Sequence, residues 1–172
     1  MKKILALLLC LIMAFLVVAC DGNDSTQNDN EGNKNKESSV SFAVNYKSVK
    51  IELGADAGAV LSALGEAKSS SPMGNCGGLG TLTKYTYDSV EIYVLESDGK
   101  ASIDQITLMD DAINTSEGVG IGSSLDEVLK ACGDGHSKKT DTNITYTSGT
   151  KNLVFQFRDG SVVGIDYRMK SN

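Results

Sequence analysis

Tryptophan is missing from this 172-residue chain, proline occurs once (Pro72) and histidine once (His136). A single histidine excludes a multi-histidine metal centre and leaves any histidine-dependent triad resting on one residue. A single proline excludes Pro-rich spacers. Basic side chains are in deficit, with 16 Lys and Arg against 22 Asp and Glu. Without its first 19 residues the chain keeps 14 basic and 22 acidic side chains, a net charge near −8. A body this acidic is repelled by phosphate backbones, so no nucleic-acid partner is expected. What the chain does have is 18 Gly, which marks it as turn-rich. Its length suits one domain with extensions.

Two stretches hold no mixture of polar and apolar residues. After Met1-Lys2-Lys3, residues 4–19 are apolar throughout. Sixteen helical residues span roughly 24 Å, short of a bilayer core of about 30 Å, which reads as a secretory signal peptide over residues 1–19. Cys20 follows directly, and Cys10 falls inside the removed segment. Residues 21–39, DGNDSTQNDNEGNKNKESS, carry no large apolar side chain. They cannot bury enough surface to offset the entropy of ordering, so residues 20–39 read as a tether. The nineteen residues after Cys20 reach about 65 Å when stretched and average roughly 25 Å between ends.

Val17-Val18-Ala19-Cys20 resembles the lipobox of bacterial lipoproteins. The resemblance implies cleavage before Cys20, a covalent diacylglyceryl lipid on Cys20 and no other cofactor. It places the protein outside the cytoplasm, held on the cell membrane by its anchor. Two acyl chains hold stably where one is marginal.

From Val40 onward the pattern becomes periodic. Val40, Phe42 and Val44, a turn at Tyr46-Lys47-Ser48, then Val49, Ile51 and Leu53 read as a β-hairpin. Gly54 to Glu66, GADAGAVLSALGE, and Gly122 to Asp134, GSSLDEVLKACGD, align without a gap and predict two short helices. In the first, Asp56 caps, Ala57, Val60, Leu61 and Leu64 form the apolar face, and Gly65 stops. In the second, Ser124 and Glu127 form a capping box, Leu125, Val128, Leu129 and Cys132 form the face, and Gly133 stops. Each helix is followed by three strands. These are 81–87, 90–95 and 103–109 in the first case, and 143–147, 152–158 and 162–168 in the second. Residues 69–80 read as a loop, and Val163, Ile165 and Tyr167 as the inward side of the last strand. The fold class is α+β: two tandem α-βββ repeats, about 49–109 and 118–169, plus an N-terminal β-hairpin. Together they fill one domain over 40–172. One-sided alternation predicts antiparallel sheet with the helices on one face. Gly118-Val-Gly-Ile-Gly122 is a poor dinucleotide fingerprint, because its third glycine would fall at Ser123 outside any parallel βαβ unit.

The frame Gly-x-Ser-x-x-Glu-Val-Leu-x-x-x-Gly, a tyrosine-bearing strand and a strand ending in Asp-Gly are similar to the repeat of beta-lactamase-inhibitory proteins. They are also similar to small envelope lipoproteins of the SmpA/OmlA type. Residues 42–133, through Cys76, Tyr85-Thr-Tyr87, Asp110-Asp111 and Thr115-x-Glu-Gly118, resemble a group of uncharacterised lipoproteins of single-membrane bacteria. These motifs shape a fold and imply no activity.

Candidate chemistry is sparse. Cys76 and Cys132 are the body's cysteines, and an exported chain permits a disulfide between them. Two inert thiols also fit, since Cys132 falls on an apolar helix face, as does a reactive or metal-binding Cys76. His136 reads as an exposed loop histidine, and Asp110-Asp111 as the opening of a surface loop. No catalytic, metal or cofactor residues are assigned. If Leu153, Phe155 and Phe157 point inward, then Gln156 and Arg158 point outward, with Glu91 and Tyr93, and with Asp166 and Arg168, on neighbouring strands. Glu91, Tyr93, Gln156, Arg158 and Arg168 are therefore the candidate protein-binding face. The expected function is a non-catalytic envelope module that binds an envelope or extracellular protein. The alternative is a small-ligand or ion-binding lipoprotein serving a transporter.

Overall fold

The computed structural model describes residues 40–74 and 80–170. The expected signal peptide, Cys20, the expected tether and Cys76 lie outside the described residues.

Among the described residues, ten strands and two helices are arranged in an α+β architecture. Strands β1 (Ala43–Tyr46) and β2 (Val49–Glu52) form a hairpin of their own. Its tip is tighter than the sequence predicts. Tyr46 still belongs to β1, and the turn is Lys47-Ser48, both at positive φ (49° and 64°). Ala43 and Val44 are both buried, so this hairpin is covered on two sides and its alternation is incomplete. Ser41 N donates to Glu117 Oε1 at 2.6 Å and Ser116 Oγ to the Ala43 carbonyl at 3.2 Å, fixing β1 against the 110–122 connection.

Helix α1 (Ala57–Leu64) starts where Asp56 Oδ1 accepts from Ala59 N at 2.8 Å. Helix α2 (Leu125–Cys132) starts on the predicted capping box, with Glu127 N donating to Ser124 Oγ and Ser124 N to Glu127 Oε2 at 2.7 Å. Gly65 and Gly133 stop them at φ 77° and 73°, a conformation that costs a residue with a Cβ.

The remaining strands are β3 (Ser69–Pro72), β4 (Thr81–Thr86), β5 (Val90–Ser97), β6 (Lys100–Leu108), β7 (Lys138–Lys139), β8 (Asn143–Ser148), β9 (Lys151–Arg158) and β10 (Ser161–Met169). They make one eight-stranded antiparallel sheet in the order β3-β4-β5-β6-β10-β9-β8-β7. Each half of it is a short edge strand followed by a three-stranded meander, and the last strands of the halves meet at the centre. The loop expected over 69–80 is thus corrected. Its first four residues pair with β4, and because all four are exposed they carry no apolar alternation to read. Pro72 sits at the end of this edge strand, where its missing N–H is harmless. The two-residue β7 was likewise absent from the sequence reading.

Val163 is a second correction. It is 44% exposed, while Val162 is buried with Ile165 and Tyr167. A β-bulge between Val162 and Gly164 inserts one residue and reverses the side-chain parity. A bulge sits in the other half at Asp104, between Ile103 and Gln105, which face Val94 and Tyr93. Each bulge adjoins the start of a helix. Gly54 N donates to Ile103 O and Ile103 N to Ala55 O. Gly122 N donates to Val162 O and Val162 N to Ser123 O, all at 2.8–3.0 Å. Each half also closes its helix with a tyrosine. Tyr87 Oη donates to Gly65 O at 3.3 Å and Tyr146 Oη to Gly133 O at 2.7 Å, satisfying a carbonyl that a helix end leaves open.

One hydrophobic core joins Ala57, Val60 and Leu64 of α1 and Val128 and Cys132 of α2 to the inward sheet residues, among them Ile92, Ile106, Tyr146, Phe155 and Ile165. Both helices therefore lie on the same side of the sheet. Among the described residues no helix covers the other side, the open side of the sheet.

Candidate functional site

The open side is ordered into rows that cross the sheet. One row reads Lys138, Thr145, Val154, Asp166, Thr107, Glu91, Thr86 from β7 to β4. The next reads Thr147, Asn152, Arg168, Gln105, Tyr93, Lys84.

In the first half the face is closed upon itself. Lys84 Nζ lies 2.8 Å from Glu91 Oε1, which also accepts from Thr86 Oγ1 at 3.3 Å, and Tyr93 Oη donates to Glu91 Oε2 at 3.0 Å. Burial pushes the Glu91 carboxyl up, but the hydrogen bonds from Lys84, Tyr93 and Thr86 outweigh it and hold it below the ordinary value. The Tyr93 hydroxyl is pushed up to about 12, by burial first and by its bond to Glu91 second. At the centre, Asp166 takes Thr107 Oγ1 on one oxygen and Gln156 Nε2 on the other, both at 2.7 Å. Gly164 makes the second bond possible, because a Cβ there would stand 3.3 Å from the Gln156 side chain that lies across it.

In the second half the face is not closed. Lys138, Thr140, Asn143, Thr145, Val154, Gln156 and Arg168 line a shallow depression of about 420 Å³. Val154 is its apolar floor, 3% exposed although it points away from the core.

The five residues expected on a binding face do share this side of the sheet, in unequal roles. Glu91 and Tyr93 are bonded to each other. Arg168 is on Tyr93's row with Gln105 between them. Gln156 and Arg168 line the depression; Arg158 is exposed two residues along β9 and does not line it. Sequence reasoning missed Lys138 and Val154. The Lys138-Lys139 pair was the available signal, but a two-residue strand has no periodicity, and Val154 breaks the expected alternation of β9.

The other candidates are structural. Cys132 is a free thiol, 3% exposed, its pKa pushed up to about 12 by burial with a further push from Glu117. Cys76, the other half of the expected disulfide, lies outside the described residues. His136 is half-buried, not exposed, and packs edge-on against the Tyr146 ring at 6.2 Å. Asp110 Oδ1 accepts from Ala112 N at 3.0 Å, an Asx turn opening the connection. Among the described residues there is no group of three or more His, Cys, Asp or Glu able to hold a metal ion, and no helix long and apolar enough to cross a membrane.

No family model and no curated protein matches this sequence. Among solved structures, the chain is similar to part of an extracellular protein containing a SCP domain from Bacillus anthracis str. Ames. The identity is 14%, the TM-score 0.43, and the match covers 86% of this chain and 50% of that one. The chain thus spans about half the length of that protein.

Proposed function

We propose that this chain is a lipid-anchored lipoprotein on the outer side of the cytoplasmic membrane, and that its body is a non-catalytic module binding another envelope or extracellular protein. The observation that carries the reading is the open side of the eight-stranded sheet. It spans both halves, no element among the described residues covers it, and it bears tyrosine, arginine and amide groups. Residues 4–19 followed by Cys20 support export and anchoring, and the polar stretch 21–39 supports a tether.

We further read the body as two tandem repeats. The shared strand order, the bulges at Asp104 and Val163, the paired helix-start hydrogen bonds and the two tyrosine-to-glycine bonds support a duplication.

Affinity capture tests the binding role. The full chain in neutral detergent serves as bait for envelope extract and secreted proteins, beside a bait with Tyr93, Arg158 and Arg168 changed to Ala. The expected result is a saturable protein partner lost with the triple change. Absence of any partner for a folded bait would overturn the module reading. For the anchor, Cys20→Ala is expected to abolish lipid labelling and release the protein; persistent labelling would contradict it.

A further inference from the structure

The charges of the body are unevenly used. Residues 40–172 hold 12 basic and 17 acidic side chains, a net charge of −5. Among the described residues, the ion pairs engage Lys47, Lys50, Lys68, Lys84 and Lys151. Of the seven cations that form none among the described residues, Lys100, Lys130 and Lys170 lie elsewhere, and four are on strands of the second half of the sheet, Lys138 and Lys139 on β7, Arg158 on β9 and Arg168 on β10. Lys138 and Arg168 flank the 420 Å³ depression. The acid on the floor beside it, Asp166, has both oxygens occupied by the neutral donors Thr107 and Gln156. Depressions beside the helices differ. One has Glu66 as its charged residue, and the other sets Lys130 beside Glu127.

We propose that this depression seats an acidic, extended segment of a partner protein, an inference that rests on the protein-binding reading above. Carboxylates of the segment pair with Lys138 and Arg168, its amides meet Asn143 and Gln156, and one apolar side chain covers Val154. The spacing favours a chain over a lone anion. Lys138 shares a row with Asp166, so it is three strand intervals and two residues from Arg168, about 16 Å between backbones. One small anion reaches both only if both side chains fold inward. Carboxylates two to four residues apart on an extended segment are separated by about 7–13 Å and span the trough. An anionic lipid surface is disfavoured, because a membrane meets the acidic body as a whole, whereas one segment seated in the trough meets chiefly the cations beside it.

The test uses the full chain in neutral detergent and a fluorescent alternating Glu-Ser peptide. Saturable binding is expected, weakening about tenfold in K138A/R168A, since each exposed pair contributes about two- to fivefold. K100A/K130A should bind as the unchanged chain does. Raising salt from about 0.1 M to about 1 M, where the Debye length falls from about 10 Å to about 3 Å, should abolish it. Equal binding of a Gln-Ser peptide, or equal loss in K100A/K130A, would overturn the proposal. So would binding of inorganic phosphate or phosphatidylglycerol vesicles through Lys138 and Arg168 without binding of the peptide. Repeating the affinity capture with a K138A/R168A bait separates the two failures. A partner indifferent to that change removes this seat and leaves the module standing, whereas no partner for any bait removes the module itself.

Discussion

The two halves of the open sheet face share one backbone plan and have opposite chemistry. Lys84 and Asn143 occupy corresponding places, as do Glu91 and Val154, and Tyr93 and Gln156. In the first half a carboxylate receives a lysine, a threonine and a tyrosine, and its charges are used internally. In the second, valine stands in place of that carboxylate, asparagine in place of its lysine, and the nearby cations Lys138 and Arg168 form no ion pair among the described residues. The same architecture thus gives one self-satisfied surface and one surface with unspent donors. Ligand recognition follows which groups are already paired, and strand order does not decide it.

The largest effect should come from the core under this face. Phe155 is fully buried at the place that Ile92 holds in the other half. Phe155→Ala should cost about 3–5 kcal/mol of unfolding free energy by urea titration, and Ile92→Ala about 2–5 kcal/mol. A loss well under 1 kcal/mol from either change would mean that half is not packed as described.

Glu91→Val sharpens the comparison by giving the first half the second half's residue. It strips Lys84, Thr86 and Tyr93 of their acceptor and should cost about 1–3 kcal/mol. The effect should depend on pH. The Glu91 carboxyl is held below its ordinary 4.5 in the folded protein, so its contribution is complete above about pH 4.5 and is lost as pH falls through the folded value. The gap between variant and unchanged chain should therefore narrow in acid. A gap independent of pH would contradict the network.

The smallest effect separates the two tyrosine closures. Tyr146→Phe should cost about 1 kcal/mol, because Tyr146 is fully buried and its bond to Gly133 is 2.7 Å. Tyr87→Phe should cost about half as much, with its longer 3.3 Å bond to Gly65. The reverse ranking by thermal unfolding would break the correspondence between the halves.

Local chemistry made much of this fold legible. Asp56, Gly65, the Ser124–Glu127 box and Gly133 delimit the helices, and the Asp-Gly pairs at 98–99 and 159–160, a common hairpin-turn signal, make turns with all four residues at positive φ. Strands with one buried side announced themselves by alternation. β3 and β7 did not, because edge strands exposed on both sides need only backbone hydrogen bonds. Val163 was misplaced because a bulge breaks the two-residue period on which parity reasoning depends.

For the candidate site, parity alone put Glu91, Tyr93, Gln156, Arg158 and Arg168 on one side. It could not reveal that Glu91 is already paired or that Arg158 stands apart from the depression.

By itself, then, the sequence determined the apolar run 4–19 ending at Cys20, the two capped helices, the turns and the solvent-facing parity of the long strands. Each of these depends on residues within a few positions of one another. Only the tertiary structure decided that β6 meets β10, that Asp166 is shared by Thr107 and Gln156, and that Lys138 faces Arg168 across Val154. Those contacts join residues up to 63 positions apart. Their partners are selected by strand register and the common core, which no local pattern encodes.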